Sequence, residues 1–172
     1  HAKARIVDSL QTDYAKDLRL RSHPLLGHPT VSVGVIAGGA QPNIVPDRCV
    51  IEIDRRTLPG ETETGARREL AAFLRRRKLP ANMASTKLAP CPALETDPRS
   101  PRVRRFMRCA GQTRPVGVHF FCDAAVLAAG GIPSVVFGPG NIAQAHTRDE
   151  WISLKSLEHA KDLLVKFLQS LP

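Results

Sequence analysis

The side chains best suited to chemistry gather in VVFGPGNIAQAHTRDEWI (135–152). A continuous apolar run, Ile132 to Phe137, predicts a buried strand that opens into a Gly-Pro-Gly turn. Glycines at Gly138 and Gly140 lack a Cβ and let the backbone come close to a ligand. His146 follows on the loop, where an imidazole nitrogen can meet a metal, and Asp149 or Glu150 stands near enough in sequence to hold its tautomer. A metal site needs three or four ligands, and neither HExxH nor HxH occurs, so a surface or hydrogen-bonded histidine is the plainer alternative. Cys49, Cys91, Cys109 and Cys122 form no CxxC pair, which argues against a zinc knuckle or redox motif. Four cysteines in 172 residues are too sparse for a disulfide scaffold, and a reducing cytoplasm is expected.

A second loop of interest is GGAQPNIVPD (38–47), which carries Asn43 and is too long and too rich in Gly and Pro for a tight hairpin. It separates two predicted strands, Thr30 to Ala37 and Arg48 to Arg56, the latter with Cys49, Ile51 and Ile53 on one face. Ile6, Val7, Leu10, Tyr14 and Leu18 predict a helix over about 4–20, and HPLLGHP (23–29) reads as a loop. TLPGET (57–62) supplies a turn and an N-cap for a helix running to about Lys78, followed by a weaker strand over 81–89. PCPALETDPRSP (90–101) reads as a linker. Beyond it the pattern predicts a helix over 101–110, a strand near Val116–Phe121 and a short helix over 123–129. A last helix over 153–170 is expected to bury Leu154, Leu157, Leu164, Leu168 and Leu171. The fold class is therefore α/β: a two-layer α+β unit over 1–92, then part of a three-layer α/β unit over 93–172.

The chain has 25 Lys+Arg against 16 Asp+Glu, a formal charge of +9. Twelve of the basic residues lie in two stretches, Arg67 to Lys78 and Arg99 to Arg114, as a nucleic-acid face would require. Ala66, Leu70, Phe73 and Leu74 in the first, and Val103, Phe106, Met107 and Ala110 in the second, form apolar stripes at helical spacing. That pattern leaves the arginines on solvated faces, and no nucleic-acid partner is expected. No apolar run approaches the ~18 residues of a membrane span, so no membrane association is expected either.

GPGNIAQAHTRDEWI, preceded by FCDAAVLAAGGIPSVVF, resembles the C-terminal motif of the two-metal aminoacylase, acetylornithine deacetylase, succinyl-diaminopimelate desuccinylase and glutamate carboxypeptidase family. HPLLGHPTVSVGVIAGGAQPNIVPDRCVIEIDRRTLPGE (23–61) is similar to the inserted lid, or dimerisation, domain of the same family. The resemblance implies that His146 is a ligand of one of two zinc ions, with cobalt or manganese as alternatives. It implies that Asn43 meets the substrate and that Arg56 receives a substrate carboxylate, a role suited to a planar bidentate donor. His1, in HAK, resembles the histidine that in dimeric members reaches the partner's active site to steady the oxyanion. Gly138, Pro139 and Gly140 match the loop beside the metals. Asp123, after Cys122, falls where the family reads TDA or TEA. Plainer roles stay open: a turn former at Asn43, a sheet-edge gatekeeper at Arg56 and an N-cap at Asp123.

The family's HxD motif, bridging aspartate and Glu-Glu pair, one member of which is the general base, have no counterpart here: no HxD and no Glu-Glu occurs. The expectation is a lid domain that lacks its first strand, plus the C-terminal segment of a metal-dependent amidohydrolase. It would be inactive alone, homodimeric through the lid, and directed at an N-acyl amino acid or small peptide. The complete protein is expected to be nearer neutrality than this chain. A non-catalytic dimerisation module of the same origin is the alternative.

Overall fold

The computed structural model describes residues 2–79, 81–86 and 91–172. The N-terminal helix runs through α1 (Ala2–Ser9), a π-helical turn (Leu10–Tyr14) and α2 (Ala15–Leu18). Its buried stripe, Ile6, Leu10, Tyr14 and Leu18, repeats every fourth residue. A regular α-helix would rotate such a stripe by about 40° at each step. The wider π-turn takes up that drift and keeps all four side chains on one face.

β1 (Thr30–Gly38) and β2 (Cys49–Arg56) pair antiparallel, from Thr30 opposite Arg56 to Gly38 opposite Cys49. An irregularity between Val33 and Val35, at Gly34, shifts the register. Val31, Val33, Ile51 and Ile53 pack against the core that the N-terminal helix forms with α3 (Glu63–Arg76). Leu70, Phe73, Leu74 and Leu79 complete this core, with the Tyr14 and Phe73 rings 5.0 Å apart. The Thr62 side chain accepts from the Gly65 main-chain N–H and caps α3 as its sequence predicts. Arg67, Arg68, Arg75 and Arg76 lie on the exposed side of the helix.

The second half is built from α4 (Pro101–Cys109), α5 (Ala124–Ala129) and α6 (Leu154–Gln169). Phe106 stacks edge-on against Phe137 at 5.2 Å and Phe167 at 5.0 Å, fastening α4 to α6. The two halves touch where the HPLLGHP turn meets Gly117: a Cβ at Gly117 would lie 2.3 Å from the Leu25 carbonyl oxygen, so only glycine fits.

Three expectations are corrected. Val116–Phe121 and Ile132–Phe137 form no ladder, because a strand exists only with a neighbour to take its N–H and C=O groups, and no described segment pairs with either. The expected strand over 81–89 shows none over 81–86, although Met83 packs on the core, and its remainder lies outside the described residues. The leucines assigned to the buried side of α6 are exposed, Leu154 at 76% and Leu168 at 62%. The covered side of α6 is instead Ser156, Ala160, Leu163 and Phe167, because α4 meets only that flank of a wider apolar face.

Candidate functional site

The loop after Phe137 is shaped by local bonds. Gly140 has φ +88°, in the left-handed region that favours glycine, whereas Gly138 has a negative φ and open space around it. The Asn141 side-chain oxygen accepts from the Ala143 N–H at 2.9 Å and opens a 3₁₀ turn over Ile142–Gln144. The Thr147 hydroxyl donates to the Gln144 carbonyl at 2.8 Å.

His146 itself has φ +61°, an uncommon conformation for a residue with a side chain. Its main-chain N–H donates to Glu150 Oε2 at 2.9 Å. Glu150 therefore fixes the backbone at His146 and not, as its sequence position suggested, the imidazole ring. The His146 side chain is exposed. Among the described residues no three His, Cys, Asp or Glu side chains come together to hold a metal. His146 thus stands as one donor, and zinc needs three or four, so these residues do not by themselves fit a metal centre.

Asp123 occupies the N-cap position of α5, where its main-chain carbonyl accepts from the Leu127 N–H at 3.0 Å while its carboxylate makes no capping bond. Asn43 sits exposed in a turn closed by the Ile44 N–H on the Gln41 carbonyl at 3.1 Å, beyond the Gly38–Cys49 end of the hairpin. Arg56 pairs with Thr30 at the other end. Seven residues of strand, about 24 Å, separate Cys49 from Arg56. One copy of the hairpin therefore does not bring Asn43 and Arg56 together. Arg56 is exposed, and its Nε donates to Asp54 Oδ2 at 2.7 Å. His1 lies outside the described residues.

The sequence reading missed a polar network beneath the sheet. Arg55 points toward the helices, opposite Arg56, and its side chain is only 10% exposed. Its Nε donates to Tyr14 Oη at 3.4 Å, its Nη2 to Glu61 at 3.2 and 3.4 Å, and its Nη1 to the Arg56 carbonyl. Glu61 also meets Arg21 Nη1 at 2.6 Å, and Arg21 forms a two-pronged pair with Glu69 at 2.9 Å on each arm. Burial works to raise the Glu69 carboxyl, but hydrogen bonds from Arg21 and Tyr14 and the charges of Arg21 and Arg55 outweigh it and hold the carboxyl below its ordinary range. Burial raises the Tyr14 phenol, against the opposing pull of Arg55. The signal was present in the sequence: alternation placed Arg55 on the same face as Cys49, Ile51 and Ile53, where a cation demands partners.

The described residues thus form an α+β unit with a two-stranded sheet, followed by a helical unit that carries a histidine loop with glycines before it. Residues 1–82 match the peptidase dimerisation domain of the M20 type. An acetylornithine deacetylase of Aliivibrio salmonicida is 31% identical over 144 residues, covering 82% of this chain and 38% of that protein. An acetylornithine deacetylase of Myxococcus xanthus is 29% identical over 139 residues, covering 80% of this chain and 37% of that one. An N-acetyl-L-citrulline deacetylase of Xanthomonas campestris is 29% identical over 131 residues, covering 74% and 35%. The crystal structure of an M20 family metallo-carboxypeptidase from Sulfolobus solfataricus matches the fold with a TM-score of 0.63 at 18% identity, covering 96% of this chain and 44% of that one. The chain is accordingly a relative of the M20 metallopeptidases and deacetylases, and it spans less than two fifths of the length of the curated relatives named above.

Proposed function

We propose that this chain forms the lid, over 1–92, and the C-terminal catalytic segment, over 93–172, of a metal-dependent amidohydrolase that cleaves the amide of N-acyl amino acids, in the manner of an acetylornithine deacetylase. The observation that carries the reading is the match over 82% of the chain, too long to lie in the dimerisation domain alone. His146 is one ligand to a zinc centre whose other ligands lie outside these 172 residues. Metals bound there would polarise the amide carbonyl.

The chain's own residues bind and orient. The Arg56 Nε is engaged by Asp54, and its two Nη groups receive a substrate carboxylate in bidentate fashion. Gly138 and Gly140 keep the loop backbone open beside His146. Asn43 and His1 serve the substrate and the developing oxyanion. The separation of Asn43 from Arg56 along the hairpin supports a homodimer in which each active site draws on both lids. The compartment proposed is the cytoplasm, with no nucleic-acid or membrane partner; no described helix is long and apolar enough to cross a membrane.

A second reading, a non-catalytic dimerisation module, is favoured by the absence of a three-ligand cluster among the described residues. The two are separated by purifying the protein from its source and measuring its mass, its zinc content and acetate release from N-acetyl amino acids. A protein of native mass near that of this chain, free of metal and inactive, would support the module.

A further inference from the structure

We infer that Arg55 is a positioning residue for Arg56, gripping the main chain at the end of β2 so that the Arg56 guanidinium is held toward substrate. The inference rests on the reading of Arg56 as the carboxylate receiver and adds to it the residue that sets its direction.

Strand alternation sends the two neighbouring arginines to opposite faces of the sheet. Arg56 leaves on the open face, and Arg55 enters the side covered by the helices, where the other inward residues of β2 are Cys49, Ile51 and Ile53. An apolar side chain at 55 would extend that row. A buried guanidinium is costly unless it is fully paired, and replacing such a group by an apolar residue of similar size is often neutral or stabilising. What Arg55 supplies beyond packing is geometry. Its three nitrogens go to three different places: the Tyr14 hydroxyl, the Glu61 carboxylate and the Arg56 main-chain carbonyl.

Each anchor is itself fixed. Glu61 Oε2 accepts the Leu58 N–H at 2.9 Å, and Arg21 reaches the same carboxylate at 2.6 Å. Tyr14 is among the most buried side chains, 1% exposed, and packs on Phe73. Arg56 occupies the last rung of the ladder, where no further pairing follows before the chain turns into TLPGET. A two-stranded ladder is weak at such an end. The Arg55 bond to the Arg56 carbonyl takes the place of the missing rung, and the rigid core behind it becomes the reference for Arg56. Lysine at 55 keeps the charge but has one nitrogen and cannot span three acceptors.

The test is a kinetic double-mutant cycle in the complete, metal-loaded enzyme, with an N-acetyl amino acid as substrate. Arg56→Lys should raise KM by roughly a hundredfold, and Arg55→Lys by roughly tenfold with kcat within about twofold, the pattern of lost uniform binding. Because Arg55 acts only through Arg56, the double variant should be no worse than Arg56→Lys alone. Should Arg55→Lys fold poorly by circular dichroism, Glu61→Gln loosens the same grip and should show the same KM rise. An unchanged KM in a folded Arg55 or Glu61 variant, or effects that multiply in the double variant, overturns the inference. If Arg56→Lys itself leaves KM unchanged, the carboxylate reading fails, and Arg55 loses its role with it.

Discussion

The main-chain N–H of His146 is bonded to the carboxylate of Glu150 at 2.9 Å, and this bond holds a histidine at φ +61°. A residue in that conformation needs surrounding structure to keep it there. Here the acid four residues on provides it, leaving the imidazole outside the bond.

Removing Glu150 should therefore affect His146 through its backbone. Glu150→Ala is expected to weaken zinc binding by the complete protein by about tenfold, within the range seen for outer-shell partners of metal ligands. Glu150→Gln, which keeps an acceptor, should retain most of the affinity. Zinc titration of the two variants decides this, and equal losses would show that the charge, not the bond, matters.

Acid should loosen the lid through Glu69. Its carboxyl is held below the ordinary value of 4.5 in the folded state, so its contribution is complete above that pH and is lost as pH falls through the lower folded value. Urea melts at pH 7 and at pH 3 should show a smaller acid loss for Glu69→Gln than for the unsubstituted protein. An unchanged acid loss would remove Glu69 from the account.

Core and surface apolar residues should separate sharply. Phe73→Ala, at a site 2% exposed, is expected to cost about 3–5 kcal/mol in the isolated 172-residue chain. Leu168→Ala, at 62% exposure, should cost about 0.5 kcal/mol or less there. If, as proposed, further chain covers the outer flank of α6 in a complete enzyme, the cost at Leu168 is larger there. Denaturant melts of both forms measure the difference.

Lys78, just past the C-cap of α3, has φ +56°, with the Leu79 N–H reaching back to the Leu74 carbonyl at 2.9 Å, a position that glycine suits better. Lys78→Gly should stabilise the chain by about 1 kcal/mol by relieving the left-handed strain. Gly140→Ala, at φ +88°, should move stability the other way by a similar amount. Thermal melts read both.

These elements differ in how far the sequence disclosed them. The N-terminal helix, β1, β2 and α3 were legible because each carries its own period, and Thr62 announced the start of α3. The runs at Val116–Phe121 and Ile132–Phe137 are apolar, but a run alone does not make a strand: pairing is a property of the neighbour. The α6 leucines mark a real apolar stripe whose burial depends on what lies beside it. The position of Arg56 at the end of β2 and the loop that carries Gly138 and Gly140 were legible from the pattern. Asn43 was legible as a loop residue, but its distance from Arg56 emerged only with the hairpin's register. Alternation marked Arg55 as an inward cation, but its partners were hidden because Tyr14 and Arg21 are far in sequence from Arg55, Glu61 and Glu69, and only folding joins them.

The most direct measurement is acetate release from N-acetyl amino acids by the protein purified from its source, before and after metal chelation and after zinc is restored. The account predicts hydrolysis that is lost on chelation and returns with zinc. It also predicts a requirement for the substrate's free carboxylate, so that the corresponding amide is a poor substrate. Hydrolysis that persists without metal, or equal rates on the acid and the amide, would contradict it.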